Sequence, residues 1–62
     1  MTENQIHRAK KILAFLGYTQ IEYESPCITA LAPDLGGETE SWTSIEPIYE
    51  LWFDMMENFY NI

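Results

Sequence analysis

The sequence predicts a small α+β domain in which two helices cover one face of an antiparallel β-hairpin. The chain has only 62 residues, which is the size of one small domain, so residues 1–62 are read as a single unit. Apolar residues recur with a helical period near both ends, and a segment that alternates apolar and polar residues lies between them. The predicted order of elements is therefore helix, strand, strand, helix.

The first helix is predicted over residues 3–16. Thr2 is followed three residues later by Gln5, and this spacing is the capping-box pattern of a helix start. Gly17 is a natural residue to end the helix, because glycine adopts a positive φ without a steric penalty. One face of the helix, about 120° wide at 100° per residue, is apolar. It carries Ile6, Ala9, Ile12, Leu13 and Leu16.

Phe15 lies outside this apolar face, on the polar side of the predicted helix. It either packs at the helix end or under the following segment, or it is an exposed aromatic anchor for a partner. We favour the first interpretation, because a single apolar side chain outside a core needs no special explanation.

Two strands are predicted in the middle of the chain, over residues 18–24 and 27–32. The first alternates, which is typical of a half-buried strand. Its apolar side carries Thr19, Ile21 and Tyr23. Ser25–Pro26 separates the strands and is short enough for an antiparallel hairpin. Residues 33–37 are predicted to form a turn or loop. The sequence does not decide whether a short third strand forms over residues 38–42.

The second helix is predicted from residue 45 to the end of the chain. Thr43 and Ser44 are candidate caps, and Pro47 is tolerated in a first turn. Apolar residues then cover an arc of about 200°, whereas a helix on one layer needs a stripe only somewhat wider than 100°. The arc contains Ile45, Ile48, Tyr49, Leu51, Trp52, Phe53, Met55, Met56, Phe59, Tyr60 and Ile62.

The width of this arc has two interpretations. Either the helix is sandwiched between the hairpin and the first helix, or part of the arc faces another chain, since interfaces are enriched in aromatic residues and methionine. The residues assigned to an oligomer interface are Leu51, Phe53, Met55 and Tyr60. Pairing of hairpin edges across a two-fold axis is a second route to a homodimer, because a two-stranded sheet is too small to be stable alone.

The charge is strongly acidic and unevenly distributed. The chain has 10 Asp and Glu against 3 Lys and Arg, for a net charge of −7. All three basic residues lie between Arg8 and Lys11. Direct binding of nucleic acid is not expected, because neutralising phosphates needs a basic patch. The expected partner is a protein with a basic surface.

A row of carboxylates runs along the polar side of the second helix. Like charges four residues apart destabilise a helix by about 0.2–0.5 kcal/mol per pair. The row is either a solvated face that aids solubility or a docking surface on which carboxylates replace nucleic-acid phosphates as acceptors for Arg and Lys. The acids assigned to the docking surface are Glu46, Glu50, Asp54 and Glu57 of the helix and Asp34, Glu38 and Glu40 of the loop.

The sequence has no pattern of catalytic residues, metal ligands or phosphate-binding glycines, so neither an enzyme nor a cofactor or metal site is expected. His7 lies on the polar face of the first helix and is interpreted as a surface residue. Cys27 is the only cysteine, which excludes an internal disulfide. It is interpreted as a small buried residue.

No apolar stretch approaches the roughly 20 residues that a membrane span needs. Basic residues follow the polar start of the chain, so no secretory segment is expected either, and the expected location is the cytoplasm. In size, acidity and lack of motifs the chain is similar in general character to small phage-encoded proteins that block host defence or host nucleic-acid enzymes. This resemblance is one of profile and matches no residues.

These observations lead to two functional hypotheses. The first is a non-enzymatic inhibitor or modulator of the phage anti-defence or host-takeover kind, which docks on a basic, nucleic-acid-binding surface in the host cytoplasm. The alternative is a small homo-oligomeric structural subunit that assembles through the apolar face of its C-terminal helix.

Overall fold

Five elements follow one another in a computed structural model, which describes the backbone of residues 1–33 and 36–60 and the side chains of residues 1–33 and 36–58. They are α1 (Glu3–Phe15), β1 (Thr19–Glu24), β2 (Cys27–Leu31), β3 (Thr39–Trp42) and α2 (Glu46–Tyr60). The strands form one antiparallel sheet in the order β1-β2-β3. The predicted α+β class is confirmed, and the third strand that the sequence left open is present as β3.

The start of α1 is fixed by the predicted capping box. The Gln5 backbone N–H donates to Thr2 Oγ1 at 3.2 Å, and the Thr2 backbone N–H donates to Gln5 Oε1 at 2.9 Å. Two backbone donors that the first turn leaves unpaired are therefore satisfied by side chains.

The end of α1 is a Schellman motif centred on Gly17, which has a φ of 98°. The Gly17 N–H donates to the carbonyl of Ala14 at 3.1 Å, and the Tyr18 N–H donates to the carbonyl of Leu13 at 2.9 Å. These two bonds satisfy carbonyls of the last turn. The predicted stop at Gly17 is confirmed.

Replacing Gly17 with Ala is expected to reduce the free energy of unfolding by about 1–2 kcal/mol, because an L side chain is strained at this φ. The added Cβ would also lie 3.3 Å from Pro33 Cβ, which is a tight contact. Urea denaturation measures the loss. Gly36→Ala is the matched control, since a Cβ there meets nothing within 4 Å, and equal losses in both variants would contradict the prediction.

A β-bulge interrupts the register of β1. Thr19 pairs with Leu31 and Glu22 pairs with Thr29, so β1 spans three residues where β2 spans two. Gln20 has a φ of 51°, and it lies within the extra length. A bulge of this kind rotates the strand locally and shifts the alternation of its side chains.

The bulge changes which side of β1 carries Thr19. Tyr23 pairs with the buried Ile28 and shares its face of the sheet. Leu31 is three residues from Ile28 and therefore points to the opposite face, as does its partner Thr19. The prediction that Thr19 lies with Tyr23 and Ile21 is therefore wrong at Thr19, because strict alternation does not hold across a bulge.

The hairpin between β1 and β2 is closed by Ser25–Pro26, and the Ser25–Pro26 peptide bond is cis. Pairing of sheet edges between two copies stays a prediction. This prediction is based on the low stability of a two-stranded sheet, and that argument is weaker because β3 enlarges the sheet to three strands. The bulge in β1 and the short, polar β3 also make poor edges for pairing.

The helix α2 begins at Glu46, later than a cap at Thr43 or Ser44 requires. That capping prediction is therefore wrong. Ile45 precedes the helix and accepts a hydrogen bond from the Tyr49 N–H at 3.0 Å. Its side chain is only 3% exposed, so its burial in the core fixes the chain where a polar cap was expected.

The core lies between the two helices and the face of the sheet that carries Ile28. Its buried members are Ala9, Ile12, Leu13, Ile28, Ala30, Ile45 and Ile48. None of the seven aromatic side chains that the structure describes is fully buried. The core is therefore aliphatic, and five of the aromatic side chains pack at its margin.

Candidate protein-binding surfaces

An open groove of about 470 Å³ runs between α1 and α2. It is lined by Arg8, Lys11 and Ile12 of α1 and by Tyr49, Trp52 and Phe53 of α2. Apart from the charged ends of the two basic side chains, the Tyr49 hydroxyl and the Trp52 indole N–H, the side chains of this lining are hydrocarbon and aromatic. A volume of this size falls within the range of ligand-binding sites.

Two aromatic side chains at the groove, Phe53 and Phe15, are strongly exposed. Phe53 is 65% exposed and Phe15 is 64% exposed. The Phe15 ring stacks on Trp52 with a centroid distance of 5.8 Å and an interplanar angle of 24°. Phe15 therefore packs at the end of α1, which is one of the two forms of the favoured interpretation, but its contact comes from α2 and not from the following segment, and most of its surface stays open.

Two of the three basic residues of the chain line this groove. Arg8, Lys11 and Phe15 lie within about 60° of one another around α1. Lys10 lies about 160° from Arg8, on the other side of the helix. Within residues 1–33 and 36–58, neither Arg8 nor Lys11 has an ion-pair partner. The groove therefore has a cationic rim on one side.

The row of carboxylates lies on α2 just beyond Phe53, away from α1. It begins about 20° past Phe53 and extends over about 80° of the helix surface. Its members are Glu46, Glu50, Asp54 and Glu57, and all four are exposed. Among the described residues none of these carboxylates has an ion-pair or hydrogen-bond partner. Within the described part of the chain, no neighbouring group neutralises this acidic row.

The acids of the loop and of β3 are in different situations. Glu40 accepts a hydrogen bond from the hydroxyl of Tyr18, the residue just before β1, at 2.6 Å, so its carboxylate is already engaged. Glu38 is exposed and lies with Glu40 at a shallow depression of about 250 Å³. Asp34, which the sequence also assigned to the docking surface, lies outside the described residues.

The residues assigned to an oligomer interface do not share one side of α2. Leu51 and Met55 are half-buried and lie about 160° around the helix from Phe53. The Tyr60 side chain is outside the part of the chain that the structure describes. One flat interface can therefore contain Phe53 or the pair Leu51 and Met55, but not both.

The two remaining candidates of the sequence lie apart. His7 is exposed on α1, whereas Cys27 is half-buried at the start of β2 and is a free thiol. Within the described ranges no three His, Cys, Asp or Glu side chains are grouped so that they could hold a metal ion. No helix in this part of the chain is both long and apolar enough to cross a bilayer.

Sequence reasoning missed the groove and its basic rim. A signal was available, since Phe15 follows Lys11 by four residues and therefore lies one helical turn further along the same side. An aromatic residue beside two cations on the polar side of a helix indicates that another element covers part of that side. The partner element, α2, is 30 residues or more away in sequence, so only the fold brings the two walls together.

Comparison of the chain with protein-family models, with curated protein sequences and with solved structures found no match.

Proposed function

We propose that this protein is a non-enzymatic inhibitor or modulator that binds a basic surface of a partner protein through the carboxylate row of α2. The observation that carries the proposal is the row itself, four exposed carboxylates on one side of α2 without a counter-ion in the described part of the chain. Carboxylates accept charge-assisted hydrogen bonds from Arg and Lys in the way that phosphates do. The row therefore suits a surface that otherwise binds nucleic acid.

The energetics of α2 support a role for the row outside folding. Ile45 just before the helix and Ile48 within it are buried, and this burial anchors α2 to the core. The acids contribute no contact to that core, and their repulsion at a spacing of four residues opposes helix formation. Only Glu46 lies in the first turn, where the helix dipole favours an acid.

The loop acids contribute to different extents in this proposal. Among the described residues the Glu38 carboxylate has no partner, whereas the Glu40 carboxylate is already engaged by Tyr18. We therefore assign the main contacts to the helix row. The profile of a small acidic chain is compatible with a phage-encoded inhibitor that acts in the host cytoplasm, and the source of the chain tests that part directly.

The test uses tagged protein as bait in lysate from its native host, followed by measurement of the dissociation constant with the purified partner. The variant Glu46→Gln, Glu50→Gln, Asp54→Asn, Glu57→Gln is expected to lose binding, and high salt is expected to weaken binding of the wild type. The free energy of unfolding of this quadruple variant is expected to equal that of the wild type or to exceed it by about 0.2–0.5 kcal/mol per relieved pair of like charges.

A matched pair of double variants separates position from net charge. Glu50→Gln with Asp54→Asn removes two charges from the row, and Glu22→Gln with Glu24→Gln removes two exposed charges from β1. Binding should fall in the first double variant and not in the second. Recovery of no partner, or a partner that binds the quadruple variant as tightly as the wild type, would contradict the proposal.

A second candidate function is self-assembly through α2, and the exposure of Phe53 favours it. A side chain of this size on the outer edge of a helix provides an anchor for another chain. This candidate predicts an oligomer in the absence of any other protein, whereas the docking proposal needs a foreign partner.

A further inference from the structure

We propose that the groove between α1 and α2 binds the Phe53 edge of a second copy of this chain and so forms a two-fold symmetric homodimer. The inference deepens the second candidate function, self-assembly through α2. It uses the same carboxylates as the docking proposal, so a dimer and a basic partner compete for the row, but it is tested on the purified protein alone and can fail without the docking proposal failing. It also differs from the interface predicted from sequence, since it uses α1 and excludes Leu51 and Met55.

The surface of the two helices carries charge and apolar area in a fixed order. The cations Arg8 and Lys11 stand on the α1 side of the groove. Ile12, Trp52 and Tyr49 form the apolar lining between the walls. Phe53 stands on the α2 side, and the carboxylate row begins immediately beyond it. The order across the surface is therefore cation, apolar lining, aromatic anchor, anion.

When two copies meet face to face about a two-fold axis parallel to the groove, the order of these features is reversed in the second copy. The cations of each copy then face the carboxylates of the other, and each Phe53 meets the apolar lining of the partner groove. Such an isologous contact requires a self-complementary surface. An apolar centre flanked by one basic side and one acidic side fulfils this requirement.

The second copy also has the chemistry that the groove selects. An occupant needs an apolar side chain to fill the lining and carboxylates beside it to meet Arg8 and Lys11. Phe53 is such an anchor, because Glu50 and Glu57 are its i−3 and i+4 neighbours on α2. A partner with a basic surface does not fit here, since it would bring cations against cations.

The size and charge of the chain are compatible with this dimer. A standard interface covers about 800 Å² per partner, which is roughly a sixth of the 4661 Å² accessible surface of the chain. The net charge of −7 opposes association of two copies. At physiological ionic strength charges are screened beyond about 8 Å, so the distant repulsion is reduced more strongly than the attraction of close pairs across the groove.

Sedimentation velocity of the purified protein at micromolar concentration and physiological salt tests the proposal. We expect a dimer for the wild type. Arg8→Glu with Lys11→Glu should weaken dimerisation by about tenfold or more, and so should Phe53→Ser. The matched control is Lys10→Glu, which reverses an exposed charge on the other side of α1 and should remain dimeric. Circular dichroism checks that each variant is folded.

A charge-reversal pair makes the test specific for this surface. Glu50→Lys with Glu57→Lys should likewise weaken dimerisation, since cations then face cations, and at a concentration near the wild-type dissociation constant each charge-reversed variant is a monomer. Mixing it with the Arg8→Glu, Lys11→Glu variant restores opposite charges at both contacts of the two-fold interface. The mixture is therefore expected to form a heterodimer, although each variant alone is a monomer.

Three results would overturn the inference. The first is a wild type that stays monomeric at all concentrations examined, which would leave the groove to a foreign acidic segment or a small amphipathic anion. The second is a dimer that survives both the cation reversal and Phe53→Ser, which would place the contact elsewhere, for example at a sheet edge. The third is a mixture of the two charge-reversed variants that remains monomeric.

Discussion

Replacing Leu13 with Ala is expected to unfold a large fraction of the protein. The Leu13 side chain is 0% exposed and is one of the three largest fully buried side chains of the chain's described part. Truncations of this kind reduce the free energy of unfolding by about 2–5 kcal/mol. A domain of this length has a total of only about 3–9 kcal/mol, so the loss approaches the whole stability.

The position of Leu13 explains why the core cannot absorb this change. It lies in the last turns of α1 and packs in one cluster with Ile28 of β2 and Ile48 of α2. A cavity at this position removes packing contacts between α1, β2 and α2 at the same time. The single Cys27 offers no disulfide that would hold them together.

Thermal and urea denaturation, recorded at a concentration low enough to keep the protein monomeric, measure the effect. The control is Phe53→Ala, which truncates a side chain that is 65% exposed and should change the free energy of unfolding by less than about 0.5 kcal/mol. A loss below about 1 kcal/mol for Leu13→Ala would mean that Leu13 is not central to the core.

Local sequence signals predicted the local features of the fold. The capping box of Thr2 and Gln5 and the stop at Gly17 each depend on a few adjacent residues, and both appear as predicted. Of the residues on the predicted apolar face of α1, Ala9, Ile12 and Leu13 are buried. In these cases helix geometry alone decides which side chains meet.

Features set by contacts between distant segments were missed or misplaced. The bulge beside Thr19 follows from the register against β2, which no local pattern in β1 records. The late start of α2 follows from burial of Ile45 against the rest of the core. The groove requires α1 and α2 side by side, so no local pattern in α1 identified Arg8 and Lys11 as its rim. Periodicity shows which face is apolar, but not what covers its edges.

Replacing Trp52 with Ala is expected to reduce the free energy of unfolding by about 2–3 kcal/mol, somewhat less than truncation of a fully buried aromatic residue. Trp52 is half-buried, packs against the core cluster and carries the stacked Phe15 ring on its outer side. The substitution therefore removes both an apolar contact to the core and the wall that α2 contributes to the groove. Trp42 on β3 remains as the fluorescent probe of unfolding.

A double-mutant cycle with Phe15→Ala isolates the contribution of the stacked pair. Offset-stacked aromatic pairs contribute about 0.5–1.5 kcal/mol beyond the area they bury, so the double variant should be less destabilised than the sum of the single variants by that amount. The cycle is measured on the monomer, where the proposed dimer adds nothing.

The coupling energy also bears on the groove. If Phe15 and Trp52 couple as expected, the stack ties the end of α1 to the middle of α2 and holds the groove walls at a fixed separation. Phe15→Ala should then weaken dimerisation even though the residue is not part of the groove lining. A coupling energy near zero would mean that the two rings pack independently, and the groove would owe its shape to the buried residues Ile12 and Ile48 beneath it.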